Sequence, residues 1–297
     1  MRISTAQLYD TSLTSMRSLA ARAGSLQDQI ATGKKVVNAS DDAGSYARLS
    51  ALKRDAAAQK ADTANLNVAK TLIAQSDSVL GTMETQLQRA KELVIQGSNG
   101  TIPADQKRVI GESLGAIVDD MMALANSKDT RGQPLFGGAT GATPFAKDAD
   151  GRVGWQGEGT PPAIPIGDAG SIQATDSGER LFTAAAGGTD IFATIQALAD
   201  AFSTGGVAPE EGLDAIGAGL DQLGAARASF GARGARLELE TQRLDDLKVD
   251  REAERMGLED ADLDQAIVEM QKTITVLQAT QASFTKLSQL SLFDYLR

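Results

Sequence analysis

Two residue types are missing altogether: the 297-residue chain contains no cysteine and no histidine. Their absence excludes disulfide frameworks, thiolate or imidazole metal sites, cysteine nucleophiles and Ser-His-Asp triads. Aromatic residues are scarce, at eight Phe, three Tyr and one Trp. That scarcity argues against a deep ligand pocket, which is lined mainly by aromatic and bulky apolar side chains. No run of 18 apolar residues occurs, and the nearest approach, 181–202, is interrupted by Thr, Gly and Asp190; no membrane insertion is expected. Positive charge is also in deficit. The 29 basic and 39 acidic residues leave a net charge of −10, which opposes a nucleic-acid partner because phosphate neutralisation needs clustered Lys and Arg. The imbalance is uneven: residues 1–60 hold nine basic and five acidic side chains, whereas residues 238–264 hold four basic and eleven acidic. Both blocks read as solvated helix faces. Arg2 is followed by neither an apolar core nor a small-residue cleavage site, so any export is expected to proceed without a cleaved signal peptide.

What the chain has is heptad spacing. From the N-terminus, Ala6, Tyr9, Leu13, Met16, Ala20, Ala23, Gln27 and Ile30 alternate at three and four, seven of the eight being apolar. Leu66, Ala69, Ile73, Ser76, Leu80, Met83, Leu87, Ala90 and Val94 give eight of nine, and Leu263, Ile267, Met270, Ile274, Leu277, Gln281, Phe284 and Ser288 give six of eight. A fourth segment has one strict row, Ile216, Leu223, Phe230, Leu237 and Leu244, but Arg227, Gly234, Thr241 and Lys248 in the alternate row. A sustained 3.5-residue repeat makes helices wrap around partners, because each seam side chain must keep facing the same way. Gln27 and Gln281 read as polar seam positions that fix register.

The punctuation predicts where these helices begin and end. Ser40 reads as an N-cap, with Asp41 and Asp42 in the first turn where the helix dipole favours carboxylates. The helix it opens runs to about Gln96, with Gly97 in the left-handed position after it. Another helix restarts near Pro103 and reaches about Asn126, and Pro209 with Glu210 and Glu211 opens a further one. Between Asp129 and Thr189 Gly and Pro are dense, and Arg152 to Trp155, Ala163 to Ile166 and Ser171 to Thr175 read as short antiparallel strands.

The expected fold class is therefore α+β: a long antiparallel helical coiled-coil rod formed by the N- and C-terminal segments, with a small β-rich inserted domain. Residues 1–38 and 262–297 would form a terminal coiled-coil assembly domain, 39–138 and 189–261 a helical rod, and 139–188 a β-rich surface domain. A thirty-residue terminal helix about 45 Å long would protrude from any compact domain, so its seam calls for intermolecular packing. The candidate assembly residues are Leu13, Met16, Leu26, Ile30, Ile267, Met270, Ile274, Leu277, Phe284, Leu287, Leu290 and Phe293.

Chemistry-bearing motifs are weak. Asp148 to Arg152 starts like a calcium loop, but Val153 and Gly159 stand where the loop needs Gly and a bidentate Glu. Gly33-Lys34 lacks the upstream Gly of a phosphate-binding loop. Asp41 and Asp42 diverge by ~100° on a helix and nothing converges on them. The acids of the insertion, Asp148, Asp150, Glu158, Asp168, Asp176 and Glu179, could in principle serve a carboxylate-based hydrolase, though surface turns explain them better. No catalytic residue, metal or cofactor is expected.

Three stretches carry a family resemblance: the opening Met1 to Thr5, the run Gln29 to Asp42 ("QIATGKKVVNASDD"), and the closing Leu290 to Leu296 ("LSLFDYL"). They resemble the flagellin superfamily, with Asn38, Ser40, Asp41 and Asp42 matching its motif and Ala43 standing where Pro is usual. Asn126 to Gly138, ending Leu135-Phe136-Gly137-Gly138, and Ala226 to Leu237 ("ARASFGARGARL", with Ala235 in place of Asn) are similar to its hook–filament junction branch. The resemblance implies paired terminal helices, a helical rod, and export through the flagellar secretion apparatus with a cytoplasmic chaperone. It also implies an extracellular ring of copies, bounded by hook-associated protein 1 on the hook side and flagellin on the filament side. A filament-forming flagellin is the alternative it leaves open.

Overall fold

A computed structural model describes the chain over residues 2–207 and 211–293, with the side chains of residues 7, 9–168, 170–185, 187–207 and 211–286. Among the described residues, seven α-helices and four short strands run in the order α1 (Arg2–Thr32), α2 (Ala43–Gly97), α3 (Ala104–Ala125), β1 (Phe145–Lys147), β2 (Val153–Trp155), β3 (Ile164–Pro165), β4 (Ser171–Ile172), α4 (Gly178–Phe182), α5 (Ile191–Ser203), α6 (Gly212–Glu259) and α7 (Leu263–Phe293). The fold is mostly helical with a small strand region in the middle. The chain divides into two compact units, one made of the two ends up to Ala57 and from Asp246, the other of Ala58 to Asp245.

In the second unit, all nine heptad residues from Leu66 to Val94 are buried, as are Ile216, Leu223, Phe230, Leu237 and Leu244 of α6. Full burial of a Leu, Met or Phe side chain contributes roughly 1.5–3 kcal/mol, so this seam is the main stabilising element of the unit. In the polar alternate row of α6, Arg227 is reconciled with packing by ion pairs to α2, and Glu238 beside the row is paired likewise. Arg227 donates to Asp77 at 3.0 Å and to Glu84 at 2.7 Å, and Lys70 meets Glu238 at 2.7 Å. Both arginine bonds hold the guanidinium firmly in its charged form.

The boundaries of α2 differ from the sequence expectation. The N-cap is Asp42, not Ser40: its carboxylate accepts from the backbone of Gly44 at 2.9 Å and Ser45 at 3.1 Å. Asp41 lies outside the helix and accepts from the backbone of Val37 and Asn38 instead. Each carboxyl is held below its usual range chiefly by those backbone donors. At the other end Gly97 still belongs to the helix and has no positive φ. Its missing side chain serves close approach: a Cβ there would fall 2.6 Å from Cε1 of Phe202. Pro209 and Glu210 lie outside the described residues, and α6 is described from Gly212.

Helix α5 has no counterpart among the helices read from the sequence. Asp190 caps it by accepting from Ala193 at 2.8 Å, and Ile191, Phe192, Ile195, Leu198 and Phe202 bury its apolar face. Two antiparallel ribbons form the strand region, pairing Phe145 with Trp155 and Ile164 with Ile172. The turn between β1 and β2 is the Asp148 to Arg152 stretch, where the Asp148 carboxylate accepts from the backbone of Asp150 and Arg152. Scarce aromatics are concentrated nearby: Phe145 meets Trp155, Phe182 and Phe192 at centroid distances of 5.2, 5.8 and 5.1 Å. Asn126 ties this cluster to the end of α3 by bonding the Phe145 backbone in both directions, at 2.9 and 2.8 Å.

Candidate assembly interface

Helices α1 and α7 pack together in the first unit, and the rows that meet differ from the expected ones. Tyr9, Met16, Ala23 and Ile30 turn inward as expected, but their partner row is Ser12, Leu19 and Leu26 rather than Leu13, Ala20 and Gln27. Helix α7 shows the same displacement: Met270, Leu277 and Phe284 turn inward with Ala266, Thr273 and Thr280, one residue before Ile267, Ile274 and Gln281. Gln27 and Gln281 are exposed, so neither is a polar position in this seam. On α1 the physical reason lies in side-chain size, and on α7 the smaller row lets the two helices approach closely. Leu19 and Leu26 offer more apolar surface than Ala20 and Gln27, and a threonine can face a shallow seam once its hydroxyl is satisfied. Thr273 and Thr280 donate to the carbonyls of Glu269 and Val276, each at 2.7 Å. The seam also carries an edge-to-face contact of Tyr9 with Phe284, centroids 5.2 Å apart, and an ion pair of Arg22 with Glu269 at 2.8 Å. Such aromatic pairs are worth roughly 0.5–1.5 kcal/mol beyond their area.

The displaced rows leave an apolar flank. Leu13, Ile267 and Ile274 are 39%, 40% and 38% exposed, and Leu263 is exposed beside them. Of the candidate assembly residues, the structure therefore brings Met16, Leu26, Ile30, Met270, Leu277 and Phe284 into the α1·α7 seam and places Leu13, Ile267 and Ile274 on its open side. The side chains of Leu287, Leu290 and Phe293 lie outside the described residues.

The links between the helices form a second feature of this unit, which the sequence reading missed beyond its motif. Gly33, at φ +70, ends α1 in the left-handed region that a side chain disfavours. The chain then pairs with the α6–α7 link: Lys35 donates its backbone N–H to Glu259 at 2.7 Å, and Ala261 donates to Gly33 at 2.9 Å. Glu259 is buried and accepts from Lys34 Nζ at 2.5 Å and from Arg255. The Lys34 bond, helped by Arg255 and opposed by burial, holds its carboxyl below the ordinary range. Thus the "TGKK" run is a clasp between two helix links rather than a phosphate loop, and the backbone pairing that makes it depends on residues more than 200 positions away.

Asn38, Ser40, Asp41 and Asp42 complete the same loop as described above. The insertion's carboxylates do not converge. Asp148 closes a turn, whereas Asp176 is buried between Arg180 and Arg233, the latter at 2.8 Å. Among the described residues no group of three potential metal-ligating side chains is found.

Paired terminal helices with a half-covered apolar flank define a class: a helical subunit whose ends are shaped to pack against further helices. Residues 3–140 match the family model for the bacterial flagellin N-terminal helical region, and residues 213–296 match the model for the bacterial flagellin C-terminal helical region. The chain belongs to the bacterial flagellin family, and it is a structural protein, not an enzyme. It is 27% identical to flagellar hook-associated protein 3 of Escherichia coli over 99% of both chains. With the Salmonella typhimurium protein of the same name the identity is 32% over about half of each chain, 52% of this one and 49% of that one. A Listeria innocua flagellin is 24% identical over 89% of this chain and 86% of its own. Among solved structures, a flagellar hook-associated protein from Vibrio parahaemolyticus superposes with a TM-score of 0.66 at 18% identity, covering 73% of this chain and 99% of that one. The flagellar junction protein of Legionella pneumophila gives 0.60 at 13%, covering 71% and 99%. These two likenesses establish the fold.

Proposed function

We propose that this chain is the junction subunit between the bacterial flagellar hook and its filament. Copies form a ring outside the cell, with hook-associated protein 1 on the hook side and flagellin on the filament side, after export assisted by a cytoplasmic chaperone. The observation that carries this reading is the match to hook-associated protein 3 along 99% of both chains; the open apolar flank at Leu13, Ile267 and Ile274 supplies the physical means. Packing of that flank against a neighbour's helices is heterologous, since α1 and α7 of one copy meet a different surface of the next, and heterologous contacts propagate around a ring or along a tube. The residues 1–38 and 262–297 act in this scheme as the assembly domain, and 139–188 as a surface segment.

Deleting residues 1–35 tests it. The truncated chain keeps the Leu66–Val94 seam and should remain folded, yet fail to restore filament attachment in a junction-deficient strain. Restoration by the truncated chain would refute the role of the terminal helices. The alternative, a filament subunit, predicts that the purified full chain polymerises alone into long filaments.

A further inference from the structure

A second unpartnered surface lies on the exposed face of α6. Val249 is 68% exposed and Met256 43%. Being seven residues apart, they share one face, with exposed Ala253 between them. Of the half-buried residues of this stretch, Leu247, Arg251 and Leu258 sit on the opposite side of the helix and Arg255 at its edge. The ridge is therefore not a displaced core stripe. Acids outnumber cations around it: Asp245, Asp246, Asp250 and Glu252 flank it against Lys248, all exposed, and neither Asp246 nor Asp250 has an ion-pair partner among the described residues.

The back of α2 offers the complement. Ser45, Leu49 and Leu52 face inward, and Arg48 binds Glu254 of α6 through two bonds of 2.5 and 2.9 Å. The outward face carries Ala47, Ser50, Ala51, Arg54 and Ala57, of which Ser50 and Ala51 are half-buried and the others exposed; Lys53 flanks it on one side and Asp55 on the other, and the two cations are without ion-pair partners among the described residues. With small side chains around Arg54, and Lys53 and Asp55 at its two edges, it is a low surface with a surplus of one positive charge, matched in sign and relief to an acidic ridge. Because the two faces point outward from opposite sides of the α2·α6 pair, they cannot meet within one chain.

We propose that the Val249–Met256 ridge of one copy docks on the Ala47–Ala57 face of α2 in a second copy, with Arg54 set between Asp246 and Asp250 of its neighbour. Charge complementarity selects the occupant: both halves of the contact are present on this chain, unsatisfied, and of opposite sign. Such a head-to-back contact is heterologous and extends from copy to copy. It rests on the assembly reading above and adds to it a lateral, salt-dependent interface separate from the α1·α7 flank.

The lack of native cysteine makes the test specific. The full chain carrying Ala47→Cys and Ala253→Cys is expressed as the sole copy in its bacterium, flagella are isolated, and a short bismaleimide is added. A dimer and a ladder of higher multiples are expected, because the two positions lie too far apart around the helix pair to be bridged within one copy. Each single-cysteine variant should give no ladder. In competition with wild type, Arg54→Glu and Asp250→Arg should each lower incorporation about tenfold, and the two swaps together should restore it to within about twofold. No ladder from subunits that are present in the flagella, a crosslink to a chain of different mass, or charge reversals incorporated at parity would overturn the lateral contact and leave the assembly reading standing. Absence of the wild-type chain from isolated flagella would instead overturn the assembly reading itself.

Discussion

Replacing Ile267 and Ile274 by glutamine separates the open flank of α7 from its seam. Each isoleucine is about two-fifths exposed in the folded chain. Burying a whole isoleucine side chain is worth roughly 1.5–3 kcal/mol, so covering the exposed part on assembly contributes about 1 kcal/mol per residue and about 2 kcal/mol for the pair. Glutamine keeps an aliphatic stem for the portion that is already covered and puts an amide where the apolar tip was. Monomer stability should change by less than about 0.5 kcal/mol per site, the scale of ordinary surface substitutions, while incorporation falls roughly 30-fold. The assay is competition: variant and wild type are co-expressed, and their ratio in isolated flagella is compared with that in whole cells by mass spectrometry, with circular dichroism on the purified chains as the folding control. Incorporation at parity, with folding intact, would refute the argument that this flank is covered in the assembly.

Three further outcomes follow from single contacts. Gly97→Ala places a methyl 2.6 Å from the Phe202 ring and should destabilise the second unit by about 1–3 kcal/mol; an unchanged urea midpoint would contradict the close packing of α2 on α5. Arg233→Ala removes the bond to buried Asp176, the bond to the Gln173 carbonyl at 3.0 Å and the stacking on Phe230 at 4.8 Å. It should cost about 3 kcal/mol and raise hydrogen exchange in residues 164–176, an effect that exchange mass spectrometry would show or deny. Glu259 has its pKa lowered on folding, so its contribution is complete at neutral pH and is lost as pH falls through its depressed value, below the ordinary 4.5. Acid titration followed by circular dichroism should therefore lose part of its low-pH dependence in Glu259→Gln, which should also be less stable by about 1–2 kcal/mol at pH 7.

The parts of the fold that were legible in the sequence are those where large apolar residues recur without competition. The Leu66–Val94 row and the strict sevens of α6 had no rival register, and both are buried as read. The terminal helices were legible as seams but not as registers, because Ala, Ser and Thr on either side make neighbouring rows nearly equivalent. Only the partner helix decides whether Leu26 or Gln27 faces in. That one-residue displacement is what frees Leu13, Ile267 and Ile274. Capping was ambiguous for a similar reason: in Ser40-Asp41-Asp42 every side chain can accept from a backbone N–H, and the loop's own turn at Asp41 moves the cap to Asp42. Helix α5 falls within the 189–261 rod read as helical but was not delimited, although Asp190 and the spacing of Ile191, Ile195, Leu198 and Phe202 were present, because a Gly-rich approach precedes it and the intervening Ala residues blur the period. The Glu259 clasp and the Arg233–Asp176 anchor join residues far apart in sequence. A pattern of local spacing carries no trace of them.

The most direct measurement is the position of the protein in the flagellum. A single Thr160→Cys substitution, in the exposed middle segment, accepts a gold or fluorescent maleimide without competition from native cysteine, and electron microscopy then locates the label. A junction subunit gives one band at the boundary of hook and filament. Label distributed along the whole filament would contradict that assignment and identify a filament subunit.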